Sequence, residues 1–299
     1  MKCGLAGEME SHCEFPLPTS ITCAFHFSRT NRDEWLRLSV LLIREVFFLH
    51  LKYKPHERRV LVTMFTEAPS DFSWAIAKGM LCYMSVPSVL FLASSDAILI
   101  ASSQHSGLIV EVGLKCSTVV STVRWSCTGF ASCSIGSDEF EGFSEDLLDL
   151  DGIAHTILVS IRKNSFENRG YVLQNILLVG CIFENKELVD HLLVAAHERY
   201  PDLVTPLMKF ATINNRLPWS ERTWIGSTVF AMTESFAYRS VNRSTFEKFP
   251  HIFDSSNLLN EWSSEFEKSD ASLISFSPIK QQPRNRANSA SARPTYNNT

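Results

Sequence analysis

The hydrophobic and polar positions of this chain follow two periods in turn, and their order predicts a mixed α/β protein. Apolar residues recur at helical spacing from Asn31 to about His50, and a second helical pattern starts at Asp71. Apolar runs of strand length occupy Arg58–Phe65 and Ser88–Leu92, and a further helical stretch follows at Asp96–Ser102. Strands that alternate with helices in this way are typical of an α/β sheet.

The same pattern predicts how these elements are buried. The run Arg58–Phe65 is continuous enough to predict a strand that is buried on both faces. We expect the first helix to pack against a sheet, and we expect Asp71 to cap the second. The predicted buried side of the second helix consists of Phe72, Ile76, Met80 and Tyr83.

A predicted hairpin opens the second half of the chain. Gly107–Val112 and Ser117–Val123 have the pattern of two strands joined by a tight turn at Gly113. The pattern is then lost from Trp125 to Asp151, a stretch with seven acidic residues between Asp138 and Asp151. We interpret this stretch as a mobile acidic connection.

Regular elements return after this connection. They are predicted as a helix at Ile153–Phe166, a buried strand at Gln174–Val179, a helix at Glu187–Arg199, a strand at Lys209–Ile213, a helix capped by Ser220 that runs through Ala237, and a closing helix at Asn257–Phe266. The tail after Glu267 is rich in Ser, Asn, Pro and Gln and has no acidic residue beyond Asp270. This composition predicts a disordered basic tail.

Composition and charge narrow the class of protein. The 299 residues are 45% hydrophobic and 20% charged, which is ordinary for a folded globular chain. A formal net charge of −4 argues against a general nucleic-acid or anionic-membrane surface. Neither of the two longest apolar stretches has the roughly 20 clean apolar residues of a membrane span. Protein partners are therefore expected.

The eight cysteines give no sign of a metal site or a disulfide framework. None forms a CxxC pair, and the spacing of Cys127 and Cys133 does not suit a zinc knuckle. No secretory signal pattern stands at the N-terminus. We therefore expect free thiols, no metal and a cytoplasmic location.

Four blocks of the chain, in order, resemble the actin-related proteins. KCGLAGE at Lys2–Glu8 is similar to the end of the family's first phosphate loop, and VLVTMFTEAP at Val60–Pro69 is similar to the strand and turn that follow. The Gly107 hairpin resembles the second phosphate loop. QNILLVGC at Gln174–Cys181 and WIGSTVFA at Trp224–Ala231 resemble the adenosine-side strand and the last core helix.

The resemblance implies an actin-like fold of two α/β lobes with a nucleotide cleft between them. Residues 1–104, with 215–266 returning to them, would form the first lobe, and residues 105–214 the second, with the acidic connection at 125–152 and the tail at 267–299. The family's first strand would precede Lys2, and the segment before Ile153 is too short for the fourth subdomain. We therefore expect a fold shortened at both places, either by loss or by an incomplete coding sequence.

The residues that match the family's nucleotide loops are Lys2, Glu111, Gly113 and Gly180. By resemblance these are remnants of a cofactor site. Leu114 replaces the family's second acid, and either Ser94 or Ser95 stands near its water-orienting glutamine. Because phosphoryl transfer needs a metal-organising acid and a positioned water, we expect no catalysis, no catalytic residue and at most weak ATP or ADP binding.

The expected function is a non-catalytic structural subunit of the cytoskeleton. HLKYKPHERRV at His50–Val60 and VPSVLF at Val86–Phe91 are most similar to the family members at the pointed end of dynactin. This resemblance implies binding to a filament of actin-related protein 1 and to other pointed-end subunits, in support of dynein-driven transport on microtubules. Two alternatives stay open: an ATP-binding member of the actin-like ATPase superfamily, and a nuclear actin-related subunit of a chromatin complex.

Overall fold

The structure, a computed structural model, describes most of the chain as far as Phe253. The described residues are 1–8, 10–26, 30–65, 68–113, 116–136, 150–180 and 219–253, with positions 190, 192 and 194 between the last two ranges. All of them belong to one of the chain's two units, Met1–Ser263. The predicted elements at 187–199, 209–213 and 257–266, the tail, and Leu114 with Lys115 lie outside the described ranges.

The described elements are strands and helices in mixed order, which confirms the predicted α/β class. The strands are β1 Lys2–Cys3, β2 Cys13–Glu14, β3 Val60–Met64, β4 Val89–Ala93, β5 Gly107–Val112, β6 Ser117–Val123, β7 Ser126–Cys133 and β8 Ile176–Val179. The helices are α1 Thr19–His26, α2 Arg32–Arg44, α3 Ser70–Lys78, α4 Ser94–Ala101, α5 Leu150–Lys163, α6 Phe166–Leu173, α7 Trp219–Ala231, α8 Glu234–Arg239 and α9 Arg243–Lys248.

The largest described sheet has four strands in the order β7-β6-β5-β8. β5 and β6 form the predicted hairpin, with Gly107 opposite Thr122 at one end and Val112 opposite Ser117 at the other. The Gly113 N–H donates to the Cys116 carbonyl oxygen at 2.9 Å and closes the turn. The sequence prediction of both strands is confirmed residue for residue.

β7 corrects the prediction that the pattern is lost directly after the hairpin. Ser126–Cys133 pairs antiparallel with β6 and has a register irregularity at Ser121/Thr122. Its residues, SCTGFASC, are mostly small and polar, so no apolar alternation marks the strand in the sequence. Backbone pairing with β6 and packing against α5 decide its conformation.

A second sheet joins β3 and β4 in parallel, with Val60 opposite Val89 and Met64 opposite Ala93. β4 is buried as far as Leu92, but in β3 only Met64 is buried. The prediction that Arg58–Phe65 is buried on both faces is therefore wrong. Among the described strands β3 has a neighbour on one edge only, which leaves its other edge uncovered.

A short antiparallel pair, β1 and β2, forms a third sheet near the N-terminus. The Phe15 N–H donates to the Met1 carbonyl oxygen at 3.0 Å and extends this pairing by one residue. The pattern of residues 9–30 is weak and irregular, and it did not predict α1, which follows this pair. A helix of eight residues carries too few apolar repeats to stand out in the sequence.

The first predicted long helix is present but packs differently from expectation. Asn31 caps α2, since its side-chain oxygen accepts a hydrogen bond from the Glu34 N–H at 2.8 Å, and a π-helical turn continues the helix over Glu45–Leu51. Its main partner is α3, not a sheet. The rings of Trp35 and Phe72 lie 5.1 Å apart between the two helices.

The second predicted helix begins at Ser70, and Asp71 lies in its first turn instead of at the cap, which is Pro69. Phe72, Ile76 and Met80 are buried as predicted. Tyr83 is 57% exposed, so the prediction for it is wrong. The helix changes to π-helical geometry at Gly79–Tyr83, which rotates the last residues away from the predicted face.

The later helices end earlier than predicted. α5 ends at Lys163, and α6 begins separately at Phe166. Ser220 lies inside the first turn of α7 and does not cap it, and α7 ends at Ala231 because Thr233 takes an extended conformation before α8. The extended backbone of Thr233 interrupts an otherwise continuous helical pattern, which explains why one helix was predicted here.

The backbones of α4 and α7 approach each other closely where the two helices cross. A β-carbon added to Gly226 would lie 1.8 Å from the carbonyl oxygen of Ala97. Only glycine permits the two backbones to approach this closely. The crossing holds the start of α4, and with it the end of β4, against α7.

We predict that Gly226→Ala destabilises the protein by about 3 kcal/mol, because the added methyl group must force α4 and α7 apart. Gly170→Ala in α6 is the matched control, since no atom lies within 4 Å of its added β-carbon. The control should be neutral or stabilising by up to about 1 kcal/mol. Urea unfolding followed by circular dichroism measures both variants, and equal stabilities for the two would contradict the close crossing.

Candidate functional site

The carboxyl ends of several strands bring part of the predicted site together. Ser94 follows β4 directly, Glu111 is the second-last residue of β5, and Gly180 follows β8. In open α/β sheets ligands bind outside the carboxyl ends of the strands. We call Ser94, Glu111, Gly113 and Gly180 the carboxyl-edge residues.

Glu111 is the central acid of this group and is engaged within the protein. It lies opposite Thr118 of β6 and Val179 of β8. Its Oε2 accepts a hydrogen bond from the Ser94 hydroxyl at 2.9 Å. Burial raises the pKa of Glu111, and the hydrogen bond from Ser94 offsets only part of this effect. The environment therefore favours the neutral carboxyl group more than water does.

The two glycines of the site lie on loops whose backbones touch. Gly180 has φ +138°, and a β-carbon added there would lie 2.6 Å from the Val112 carbonyl oxygen. Gly113 directly follows Val112. The structure therefore brings Glu111, Gly113 and Gly180 together, while Leu114, Lys115 and the residues after Gly180 lie outside the described ranges.

Lys2, the fourth predicted residue, lies with different partners. Its ammonium group contacts the Glu221 carboxylate of α7 and lies 3.5 Å from Oε2 of Glu14 in β2. Burial lowers the pKa of Lys2, but the hydrogen bonds and charges of Glu221 and Glu14 outweigh burial, and the pKa is raised. The lysine is thus held as a cation whose charge is compensated by two carboxylates.

Asp96 is an acid that sequence reasoning did not assign to the site. It lies in the first turn of α4, two residues after Ser94. Burial raises the pKa of Asp96 to about 7, and the positive charge of Arg239 opposes this shift. Its only signal in the sequence is its position as the single acid of the apolar stretch Val86–Ala101.

A cavity among the described residues lies away from the carboxyl-edge residues. Its volume is about 440 Å³, and its lining is mainly apolar. Residues 1–6 and 58–65 line it together with α2, α3, α7 and α8, and none of the carboxyl-edge residues does. Lys2 lines this cavity and Glu111 does not, so the two predicted site residues lie in different environments.

The described ranges contain no group of three or more His, Cys, Asp and Glu side chains placed to hold a metal ion. Six cysteines of these ranges are free thiols: Cys3, Cys13, Cys82, Cys116, Cys127 and Cys133. Burial raises the pKa of Cys3 to about 12, so this thiol is a poor nucleophile. No helix in this part of the chain is both long and apolar enough to cross a bilayer.

No known protein-family model matches the chain. The resemblance to the actin-related proteins therefore depends on the four sequence blocks and on where the structure places them.

We predict that Asp96 makes the protein less stable as pH rises from about 4 to about 7. Its folded pKa lies above its unfolded value of 3.8, so the folded state holds the proton longer and loses stability as that proton leaves. Between pH 5 and pH 8 the loss should be about 2 kcal/mol. The Asp96→Asn variant should lack this dependence in urea unfolding.

Asp71→Asn is the matched control for this measurement, because Asp71 of α3 forms an exposed ion pair with Arg32 of α2 at 2.5 Å. Its removal should lower stability equally at both pH values. If the free energy of unfolding changes with pH in the same way for the wild type and for Asp96→Asn from pH 5 to pH 8, the raised pKa of Asp96 is contradicted.

Proposed function

We propose that this chain is a non-catalytic, actin-related structural subunit that acts through protein interfaces. The observation that carries the proposal is the hydrogen bond between Glu111 and Ser94. By resemblance, the family uses the position of Glu111 to organise the waters of a magnesium ion. A hard cation requires an ionised, accessible carboxylate. Here the carboxyl group is partly buried, bonded within the protein and shifted toward its neutral form.

The surroundings of Lys2 support the same proposal. A lysine that holds a phosphate needs a free ammonium group aimed at the ligand. Lys2 instead lies between Glu221 and Glu14. Two of the residues that would form a nucleotide site are therefore engaged with other groups of the protein.

The arrangement of the sheets supports the proposed actin-like fold. Two parallel strand pairs, β3 with β4 and β5 with β8, each have intervening helices in the chain between them. Each pair has its own core: the first contains Phe72 and Leu81, and the second contains Ile153 and Ile157. Two related α/β halves of this kind are what the resemblance implies.

Exposed apolar residues near the end of the described chain support a role in protein association. Val229 and Met232 are 48% and 68% exposed, and Tyr238 and Phe249 are 82% and 62% exposed. Aromatic residues at accessible positions often anchor protein interfaces. We place the partner surface on this segment, residues 229–249.

The proposed partners are those of the pointed end of dynactin. The chain resembles actin-related protein 10, also called 11, in the blocks His50–Val60 and Val86–Phe91. The corresponding role is to cap a short filament of actin-related protein 1 and to bind the other pointed-end subunits in the cytoplasm. In this role the chain supports dynein-driven transport without an active site of its own.

We predict that the tagged chain recovers dynactin subunits from a cell extract and that Tyr238→Asp reduces the recovery at least tenfold, since it places a charge in the proposed interface. Phe166→Asp is the matched control, because Phe166 is 87% exposed on α6, outside that segment. Quantitative mass spectrometry measures both variants. Recovery of chromatin-remodelling subunits in place of dynactin would refute the proposal and favour the nuclear alternative.

The alternative function is nucleotide binding in the manner of the actin-like ATPase superfamily. It is favoured by one observation, the meeting of Val112, Gly113 and Gly180 at the carboxyl ends of β5 and β8. Backbone N–H groups of such loops are able to hold phosphates. The residues directly after Gly113 and Gly180 decide how many of these groups are available.

We predict that isothermal titration with magnesium-ATP detects no binding at micromolar nucleotide, because Glu111 is held by Ser94 and Lys2 by two carboxylates. Glu111→Gln keeps the size of the side chain and should behave like the wild type. Micromolar binding by the wild type that Glu111→Gln weakens would support the alternative function over the proposed one.

A further inference from the structure

Strands of two sheets line the cavity near the N-terminus. Residues 1–6, which include β1, and residues 58–65, which include β3, both belong to its lining. Among the described strands β1 pairs only with β2, and β3 pairs only with β4. Each of these two strands therefore has one edge without a strand partner in the described part of the chain.

The register of β3 shows which of its backbone groups point toward the cavity. The Val60 N–H donates to the Ser88 carbonyl oxygen at 3.0 Å, on the side of β4. Parallel strands bond to one neighbour through alternate residues, so Val62 and Met64 also face β4. The N–H and C=O groups of Leu61 and Thr63 consequently point to the opposite edge.

The same reasoning applies to β1. Met1 and Phe15 exchange both backbone hydrogen bonds, at 2.6 and 3.0 Å. In an antiparallel pair the next residue along turns its N–H and C=O away from the partner strand. The backbone of Lys2 therefore points away from β2, and both strands present donors and acceptors.

The size and lining of the cavity favour an apolar occupant. Its volume of about 440 Å³ falls in the range of about 300–1,000 Å³ that is typical of ligand pockets. Its lining includes Leu42, Val46 and Phe47 of the α2 region and Trp224, Ala231 and Phe236 of α7 and α8. Water in such a space finds few side-chain partners, whereas an extended apolar peptide satisfies the side chains and both backbone edges together.

The charge at one end of the cavity defines the occupant further. Arg58 and Arg59 are exposed at the start of β3 and belong to the cavity lining. The guanidinium of Arg58 lies 5.1 Å from the centre of the Tyr53 ring. An acidic residue at the end of a bound strand would meet these two cations.

We propose that this cavity binds an extended apolar strand from a partner protein, hydrogen-bonded to Leu61 and Thr63 of β3 and carrying an acidic residue that contacts Arg58 and Arg59. The bound strand joins the β1-β2 pair to the β3-β4 pair in one continuous sheet. The cavity shares Ala231 and Phe236 with the proposed interface at residues 229–249, but the peptide test uses the isolated chain and does not depend on dynactin.

The probe is a synthetic peptide that copies Ser88–Ala93, the sequence that already pairs with β3, with an aspartate added before it and a fluorophore attached. Fluorescence anisotropy should show saturable binding to the full chain. The control peptide has the same sequence but is N-methylated at two alternate residues. It keeps the side chains, removes two hydrogen bonds and should bind about tenfold more weakly or less.

Variants of β3 test the same contact from the protein side. Leu61→Pro removes the N–H that faces the cavity but none of the bonds to β4, and it should weaken binding about tenfold. Leu61→Ala, the matched control, keeps the N–H and should bind within about threefold of the wild type. Hydrogen exchange should show that the probe protects the amides of Leu61 and Thr63.

Three outcomes would overturn the proposal: no saturable binding of the probe, equal binding of the N-methylated peptide, or protection confined to residues outside 1–6 and 58–65. Equal binding of the two peptides would assign the cavity to an apolar ligand bound through side chains alone. The peptide comparison uses the wild-type chain, so it stays decisive even if Leu61→Pro fails to fold.

Discussion

The pairing of β5 on both of its edges is the constraint on which the second half of the structure depends. β6 bonds to one edge in antiparallel register, and β8 bonds to the other in parallel register. The side chains of Leu108, Ile109 and Val110 are completely buried as a result. With the strand fixed in this way, Glu111 has no freedom to move out of the sheet, and its carboxyl group stays in an environment that opposes ionisation.

In the first half, the packing of α4 against α7 likewise places an acidic side chain where its ionisation is disfavoured. The contact at Gly226 draws α4 close to α7, and Ser94 and Asp96 belong to the first turn of α4. Ser94 is thereby placed to donate to Glu111, and Asp96 is placed where burial raises its pKa. Burial thus raises the pKa of both acids and disfavours the charged form that a divalent cation requires.

The parts of this fold that could be predicted are those in which a local pattern and the tertiary environment agree. The β5-β6 hairpin combines apolar strands with a glycine turn, and α2 combines a capping Asn31 with a helical apolar period, so each follows from its own sequence. β7 could not be predicted, because its small polar residues become a strand only when β6 supplies the backbone partner. The residues of the candidate site also divide into a predictable and an unpredictable part. Three of the four site residues meet because parallel strands place their ends together, but the pairing of Lys2 with Glu221 joins residues 219 positions apart, and no local signal announces it.

β3 and β5 differ in the number of edges at which they pair with another described strand. β5 pairs with a strand on each edge, whereas β3, among the described strands, pairs on one edge only and lines an apolar cavity. Proteins usually protect an unpaired edge with charges, a bulge or a covering element, because an open edge is a template for another strand. Here the charges of Arg58 and Arg59 stand only at the start of β3, and the rest of the edge, Val60–Met64, carries none. Such an edge suits an extended apolar strand that has an acidic residue at one end. The two arginines would repel a strand that has a basic residue there.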